Sequence, residues 1–480
     1  MGPSFSAAIQ QMQQGTRKAA WMELRIDAME EECVVHIDAL LRASALPKIL
    51  TFRRRKDGGR YAGDESARRQ KMLQWARRLT ERPDLYPDVY IDLEEDLDES
   101  FYCAIQDLFK RHAHIILSHH DTRQTPSLQE LDQILLRMQA KKGAFYKIAV
   151  QSHRSVEALE FLDWAKGHVQ AGVPLIPVSM GEEGESSRIL SGILGFPFTY
   201  GFLEEREGSF HRLVDLYRIP FHTRNTAIYG LIGDPVTGSI GHLAHNLFFR
   251  EQKIDAVYLK MRVREEELRD FFRYAAQLPV RGVSVTMPLK EKVLDYLDAA
   301  DPFVERSGAA NTLVFQNGKW WGGNTDGEAI VGAISRRTSV FQKKVLILGT
   351  GGVAKAAAWA AHAKGAFVDV MGREVGKARV FAEPLGGGVW DWDATDAWKK
   401  QDIILNCTPA PFPPHALLLP EKTLCLDLRI QSEEDPQLCA WQKKGGQVVH
   451  GKELFHRQAH LQRTIWFRSH SRNAGNRSIN

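Results

Sequence analysis

The stretch "KKVLILGTGGVAKAAAWAAHAKGAFVDVMGR", residues 343–373, decides the fold of the C-terminal half. Two lysines lead into an uninterrupted apolar run, Val345–Leu348. Glycines follow at 349, 351 and 352, then an alanine-rich stretch, then a second apolar run closed by Arg373. A run without alternation reads as a strand covered on both faces, as in a parallel sheet. Strand, glycine turn, helix and strand in that order open a dinucleotide-binding βαβ unit. Gly349, Gly351 and Gly352 keep side chains out of the turn. Val353 and Ala354 begin the helix, whose free N–H groups and dipole can meet a pyrophosphate. The glycine pattern alone is a weak signal, and its place between strand and helix makes it informative. An NAD enzyme would usually carry an acidic residue where Arg373 stands. Arg373, with Lys377 a turn later, favours a 2′-phosphate and therefore NADPH, against the opposing charge of Glu374.

Upstream, a second αβ region covers about residues 226–338. "RGVSVTMPLKEKV" brings Lys290 just after a strand, "GAANTLV" offers Asn311, and "GGNTDGEA" offers Thr325 and Asp326 at a helix start. Each alone reads equally well as a turn or a helix cap.

The first 220 residues alternate short apolar runs with amphipathic stretches. Strands are expected at "WMELRID" (21–27), "KILTFR" (48–53), "DVYIDL" (88–93), "HIILSH" (114–119), "FYKIAV" (145–150), "PLIPVS" (174–179) and "FTYGF" (198–202). Repeated β-then-α over 200 to 250 residues is the pattern of a (β/α)8-type barrel. Only seven strands are found. The missing one should precede Trp21, where residues 4–20 look helical, so the first strand is either vestigial or absent.

Lys147 sits in the middle of one of these strands. Burying an ammonium is costly unless it is paired or neutral. A lysine snorkelling to the barrel mouth or paired to a carboxylate is the commoner explanation for a lone strand lysine. A desolvated neutral amine is also a nucleophile that forms a Schiff base with a ketone. Polar residues gather near other strand ends, where barrel enzymes keep their chemistry: Glu23, Arg25, Arg53, Asp92, Glu94, His120 and Arg188.

Composition sets outer bounds. With 44% hydrophobic and 25% charged residues, the 480-residue chain reads as a multidomain globular protein. A net charge of +4 gives no reason to expect nucleic acid. The five cysteines are scattered, with no CxxC pair, which argues against a zinc site or disulfide framework and for a cytoplasmic compartment. No metal is expected. No apolar run is long enough for a membrane span and no signal core is visible. Small-molecule substrates are the expected partners, and oligomeric state is not legible.

Residues 20–220 resemble the type I 3-dehydroquinate dehydratases, through "ELRID", "TFR…DGG", "SHHDTRQTP", "YKIAV" and "SMGEEGESSR" in family order. The resemblance implies that Lys147 forms an imine with 3-dehydroquinate, that His120 moves the protons, and that Arg188 holds the carboxylate. It also implies that Glu23, Arg25 and Arg53 position hydroxyls and ring. Asp57 stands where the family has a glutamate beside the histidine, one methylene shorter, so weaker orientation of His120 is expected. The family's "APGQ" is replaced by "EREGSFH", with Ser209 and His211 as candidates for the lost glutamine contact.

Residues 226–468 resemble shikimate dehydrogenase, through "GDPVTGSIGHLAHN", "SVTMPLK", "GAANT", "GGNTDG", "ILNCTP" and "ELFHRQA". This implies a Lys290–Asp326 catalytic pair, with Thr286, Asn311 and Gln458 on ring hydroxyls and Ser239 on the carboxylate. The family's S-x-S-P reads "SIGH" here, so Gly241 replaces a serine and His242 a proline. The expected domains are a dehydratase barrel (1–222), a substrate-binding domain (223–338), an NADP domain (339–450), and a C-terminal helix returning to the substrate domain with a disordered tail (451–480). Two consecutive reactions on one chain are implied. The rivals are a metabolite-sensing regulatory protein with an inactive barrel, and an NAD-dependent quinate or shikimate dehydrogenase.

Overall fold

The computed structural model describes residues 4–30, 36–82, 88–109, 114–203, 209, 211–413, 419–420 and 422–474, with side chains through 467. The tail "SHSRNAGNRSIN" (469–480), expected to be disordered, is helical through Ala474, as the C-terminal helix runs on through it, and its remainder, 475–480, lies outside the described residues. The chain divides into two compact units, Met1–Thr226 and Ala227–Asn480.

In the first unit six strands form one parallel sheet in chain order: β1 (Met22–Arg25), β2 (Lys48–Thr51), β3 (Val89–Glu94), β4 (Ile115–Asp121), β5 (Phe145–Gln151) and β6 (Leu175–Met180). Helices connect them, as parallel strands require. The helix Leu128–Lys141 shows why the sequence starts a helix there: Ser127 and Glu130 form a reciprocal capping box. Ahead of β1 the described residues form the helix Phe5–Thr16, so β1 is a sheet edge.

"FTYGF" does not become a strand. Pro197 ahead of it has no N–H to give a ladder, and the segment makes only the isolated bridge Phe202–Ser209. Its aromatic rings take over instead. Phe198 stacks on Trp21 just before β1, with centroids 5.0 Å apart and planes at 20°, and also meets Phe145 at 5.4 Å. The arc of strands is thus bridged from beyond β6 back to the β1 edge by side chains rather than by backbone hydrogen bonds.

The second unit holds two sheets. The mixed one runs β10–β12–β11–β9–β7–β8, from β7 (Ala227–Gly233), β8 (Ala256–Arg262), β9 (Val280–Val285), β10 (Ala299–Ala300), β11 (Thr312–Gln316) and β12 (Lys319–Gly323). The parallel one runs β15–β14–β13–β16–β17–β18, from β13 (Lys344–Leu348), β14 (Phe367–Met371), β15 (Val389–Trp390), β16 (Ile403–Asn406), β17 (Leu424–Asp427) and β18 (Gln447–Val449). Chain order reverses between β13 and β16, the switch point where open α/β sheets bind ligands. The helix Gly451–Ala474 returns to the mixed sheet: Trp466 Nε1 donates to Leu313 O at 3.1 Å, and Ser284 Oγ donates to Gln462 Oε1 at 3.0 Å.

Candidate functional sites

Strand register assembles the first site. Glu23 pairs with Ile49 and Arg25 with Thr51, Thr51 with Asp92, Glu94 with Ser118, Ser118 with Lys147, and His120 with Ala149. Directly paired residues share a face and alternate residues return to it. Glu23, Arg25, Asp92, Glu94, Ser118, His120 and Lys147 therefore all lie on one face of the sheet.

Lys147 is buried, with Nζ 3.4 Å from Asp92 Oδ2 and 3.7 Å from Glu23 Oε1. Arg53, also buried, meets Asp92 Oδ1 at 2.7 Å and Glu94 Oε1 at 3.3 Å, and donates to Ser118 Oγ at 2.9 Å. Burial opposes the charge on Asp92, but Arg53, Lys147 and the Ser118 hydroxyl outweigh it and hold the carboxyl below its ordinary range. Buried Arg68 also meets Glu94 Oε2 at 3.1 Å, so the cations Lys147, Arg53 and Arg68 compensate the buried Asp92 and Glu94 and the half-buried Glu23, as a buried ionic cluster must.

His120 lies diagonally across from Lys147. Burial, then the nearby charges of Arg53 and Lys147, hold its imidazole well below its ordinary range, so the ring is neutral. Its Nδ1 is buried without a partner among the described residues. Asp57 is not brought to it, because that carboxylate accepts from Arg54 Nε at 2.6 Å. The neighbouring His119 faces Glu95 at 3.3 Å.

Arg25 is held by Asp27 through two hydrogen bonds of 2.9 and 2.8 Å. Arg188 is buried in the short helix Glu185–Ile189 and donates to Ser179 O at 3.1 Å. Ser209 is buried and accepts from Arg212 N at 3.4 Å, whereas the exposed His211 points to Asp215.

In the second unit Lys290 follows β9 and Asp326 opens the helix Asp326–Ile334. Their charged atoms are 2.6 Å apart and both side chains are buried. Asn311 donates to Asp326 Oδ1 at 2.7 Å, and Gln458, from the returning C-terminal helix, donates to the same oxygen. Thr325, missing from the candidate ring contacts, locks the geometry: its N–H donates to Asn311 Oδ1 at 2.9 Å.

Ser239 Oγ accepts from Gly241 N at 3.1 Å. A Cβ on Gly241 would stand 3.2 Å from the Tyr258 hydroxyl and 3.3 Å from Ser239 Oγ. The tyrosine thus crowds the place a second serine would take. Thr286 is half-buried, its N–H held by Ile232 O at 2.9 Å.

The glycine turn abuts this centre. Gly349 has φ +111°, where a side chain would be strained, and a Cβ on Gly352 would be 3.3 Å from Lys290 Cβ. A Cβ on Gly351, the N-cap of the helix Gly352–Ala363, would meet nothing within 4 Å, and no side chain caps that helix. The amide end is therefore open to an anion. Val353 and Ala354 pack into the core instead. Arg373 and Lys377 are exposed beyond β14, Lys377 paired with Glu374 at 2.9 Å.

Among the described residues no group of three His, Cys, Asp or Glu side chains could hold a metal, and no helix is long and apolar enough to cross a membrane.

The family model for type I 3-dehydroquinase matches residues 1–220, and that for the shikimate dehydrogenase substrate binding domain matches residues 231–313. A "shikimate biosynthesis protein AroDE" of Chlamydia pneumoniae is 32% identical, over 97% of this chain and 94% of its own. The chloroplastic bifunctional 3-dehydroquinate dehydratase/shikimate dehydrogenase of Arabidopsis thaliana is 29% identical over 93% of this chain and 77% of its own. The shikimate dehydrogenase (NADP(+)) of Ignicoccus hospitalis is 33% identical over 50% of this chain and 92% of its own. With a relative above 30% identity along nearly its whole length, and family models for the two activities matched over residues 1–220 and 231–313, the chain belongs to the bifunctional 3-dehydroquinate dehydratase/shikimate dehydrogenases of shikimate biosynthesis.

Proposed function

We propose that the first unit converts 3-dehydroquinate to 3-dehydroshikimate through an imine on Lys147, and that the second reduces 3-dehydroshikimate to shikimate with NADPH. One observation carries the first half: a buried lysine, flanked by Asp92 and Glu23, shares a sheet face with a half-buried neutral histidine. Lys147 attacks as the neutral amine, its proton passing to solvent, and Asp92 and Glu23 then stabilise the cationic iminium. An iminium lowers the cost of the adjacent carbanion, and neutral His120 is in the correct state to remove the α-proton. The imidazolium so formed protonates the departing hydroxyl. Arg188 supplies a planar donor for the substrate carboxylate, and Glu23, Arg25 and Arg53 fix ring and hydroxyls. Asp57 serves this site through Arg54 rather than through His120.

In the second unit the open amide end at Gly351, the turn at Gly349 and Gly352, and Arg373 with Lys377 would hold NADPH. When bound, NADPH supplies the hydride. Lys290 donates a proton to the carbonyl oxygen as it becomes an alcohol, and Asp326 fixes the ammonium in place. Asn311 and Gln458 prevent that carboxylate from turning, and with Thr286 they face the ring hydroxyls. Ser239, beside Tyr258, binds the carboxylate. We place both reactions in the cytoplasm, which suits four free cysteines, Cys103, Cys407, Cys425 and Cys439, among the described residues.

The test is NADPH loss when purified chain receives 3-dehydroquinate, since the second site needs the first site's product. Lys147→Ala should be silent with 3-dehydroquinate and active with 3-dehydroshikimate. Wild type that reduces 3-dehydroshikimate but ignores 3-dehydroquinate would refute the dehydratase half. Inertness to both would bring forward a metabolite sensor.

A further inference from the structure

Tyr200 lies in the segment expected to be a strand, and its aromatic character reads as core. The structure gives it a different setting. Its ring is partly exposed, but its hydroxyl is buried and has no partner among the described residues. Lys147 Nζ stands 4.2 Å from the ring centroid. The segment is anchored by Phe198, which stacks on Trp21 and lies 5.8 Å from the Tyr200 ring. The two nearby carboxylates already have partners: Glu23 accepts from Thr51, and Asp92 accepts from Ser118 and Lys147 and pairs with Arg53. Burial, then the charges of Glu23 and Asp92, push the phenol well above its ordinary range, so it keeps its proton and can donate.

We propose that the Tyr200 hydroxyl contacts the substrate of the dehydratase site, donating a hydrogen bond to the oxygen on the carbon that Lys147 attacks. The proposal rests on Lys147 being the imine-forming group. The neutral amine adds to the carbonyl carbon, a C–N bond forms, and the π pair of C=O moves onto oxygen. That oxygen takes one proton derived from the amine and a second from solvent, and leaves as water as the nitrogen pair forms C=N. Tyr200 keeps its own proton throughout and stabilises the charge developing on oxygen. The ring face next to Nζ also favours the cationic iminium. A buried hydroxyl without a partner weakens the fold. One that donates only to substrate turns that cost into a preformed binding position.

Tyr200→Phe in the full chain tests this, because it removes one oxygen and keeps the ring. The rate at which borohydride traps the 3-dehydroquinate adduct on Lys147 should fall about tenfold or more, and kcat/KM for dehydration with it. The melting midpoint should hold or rise, and reduction of 3-dehydroshikimate should be unchanged. Trapping and turnover within twofold of wild type would overturn the proposal and leave the Lys147 reading standing. A loss of turnover with a lowered midpoint would also overturn it, by assigning Tyr200 to packing. Wild type that dehydrates 3-dehydroquinate without any trapped adduct would remove the Lys147 reading and the proposal together.

Discussion

Lys290 Nζ and Asp326 Oδ2 are 2.6 Å apart, while the other oxygen of that carboxylate takes hydrogen bonds from both Asn311 and Gln458. One carboxylate therefore holds the ammonium, an amide from the strand region of the substrate sheet, and an amide from the C-terminal helix. Asp326→Asn removes the charge and turns an N–H₂ toward one of these donors. Reduction of 3-dehydroshikimate should fall by about 10²–10⁴ in kcat, the range for a positioned proton-transfer group. Dehydration of 3-dehydroquinate should stay within twofold, since its residues lie in the other unit. More than a tenth of the reductase rate remaining would argue against the pair.

Asp57 gives the opposite expectation. A carboxylate that oriented His120 would be costly to lose. Here it sits 2.6 Å from Arg54 Nε, and Arg54 keeps a second partner in Asp96. Asp57→Ala should lower dehydratase kcat less than about threefold, because this carboxylate makes its hydrogen bond to Arg54 and not to the proton-moving His120. A hundredfold loss in a steady-state assay would mean that the side chain turns to His120 when substrate binds.

The sequence carried the first site well because parallel strands in chain order convert alternation into shared faces. The pairing register carries Glu23, Asp92, His120 and Lys147 to one face of the sheet, so register unites them. Two features lay beyond such reading. "FTYGF" alternates like a strand, yet ring stacking on Trp21 rather than a backbone ladder places it. Asp57 lies within reach of more than one cation, and only three-dimensional geometry shows that Arg54 takes it. In the second unit the glycine turn and Lys290 were legible separately. Their contact at Gly352 was not, because it joins segments about sixty residues apart.

Arg373 stands exposed where a 2′-phosphate would lie, and Lys377 is paired with Glu374 at 2.9 Å. Arg373→Ala should raise the KM for NADPH by roughly ten- to a hundredfold, the loss of a charge-assisted hydrogen bond, and leave that for NADH nearly unchanged. Glu374→Gln should act in the other direction, freeing Lys377 and lowering the KM for NADPH at low salt. Initial rates with the two cofactors decide both points. Equal effects of Arg373→Ala on NADPH and NADH would dissociate it from the phosphate.

His245 makes a prediction about acid stability. Its ring is buried, stacked on Tyr258 at 4.4 Å, and burial followed by the charge of Arg463 pushes its pKa down to about 3, with nearby Gln462 opposing the shift. The ordinary value is 6.5, so between pH 6.5 and about 3 the unfolded chain binds a proton that the folded chain refuses. Stability from this group is fully present above pH 6.5 and is lost as pH falls toward 3. By pH 4.5 the loss is roughly 2–3 kcal/mol, at 1.36 kcal/mol per pH unit. Calorimetry at pH 7 and 4.5 should show the melting transition of the second unit moving down. His245→Gln cannot titrate and keeps a polar side chain in that place. It should be less stable than wild type at pH 7, where the ring stack is lost, yet lose less on acidification. Parallel declines in the two proteins would show that other groups set the acid limit.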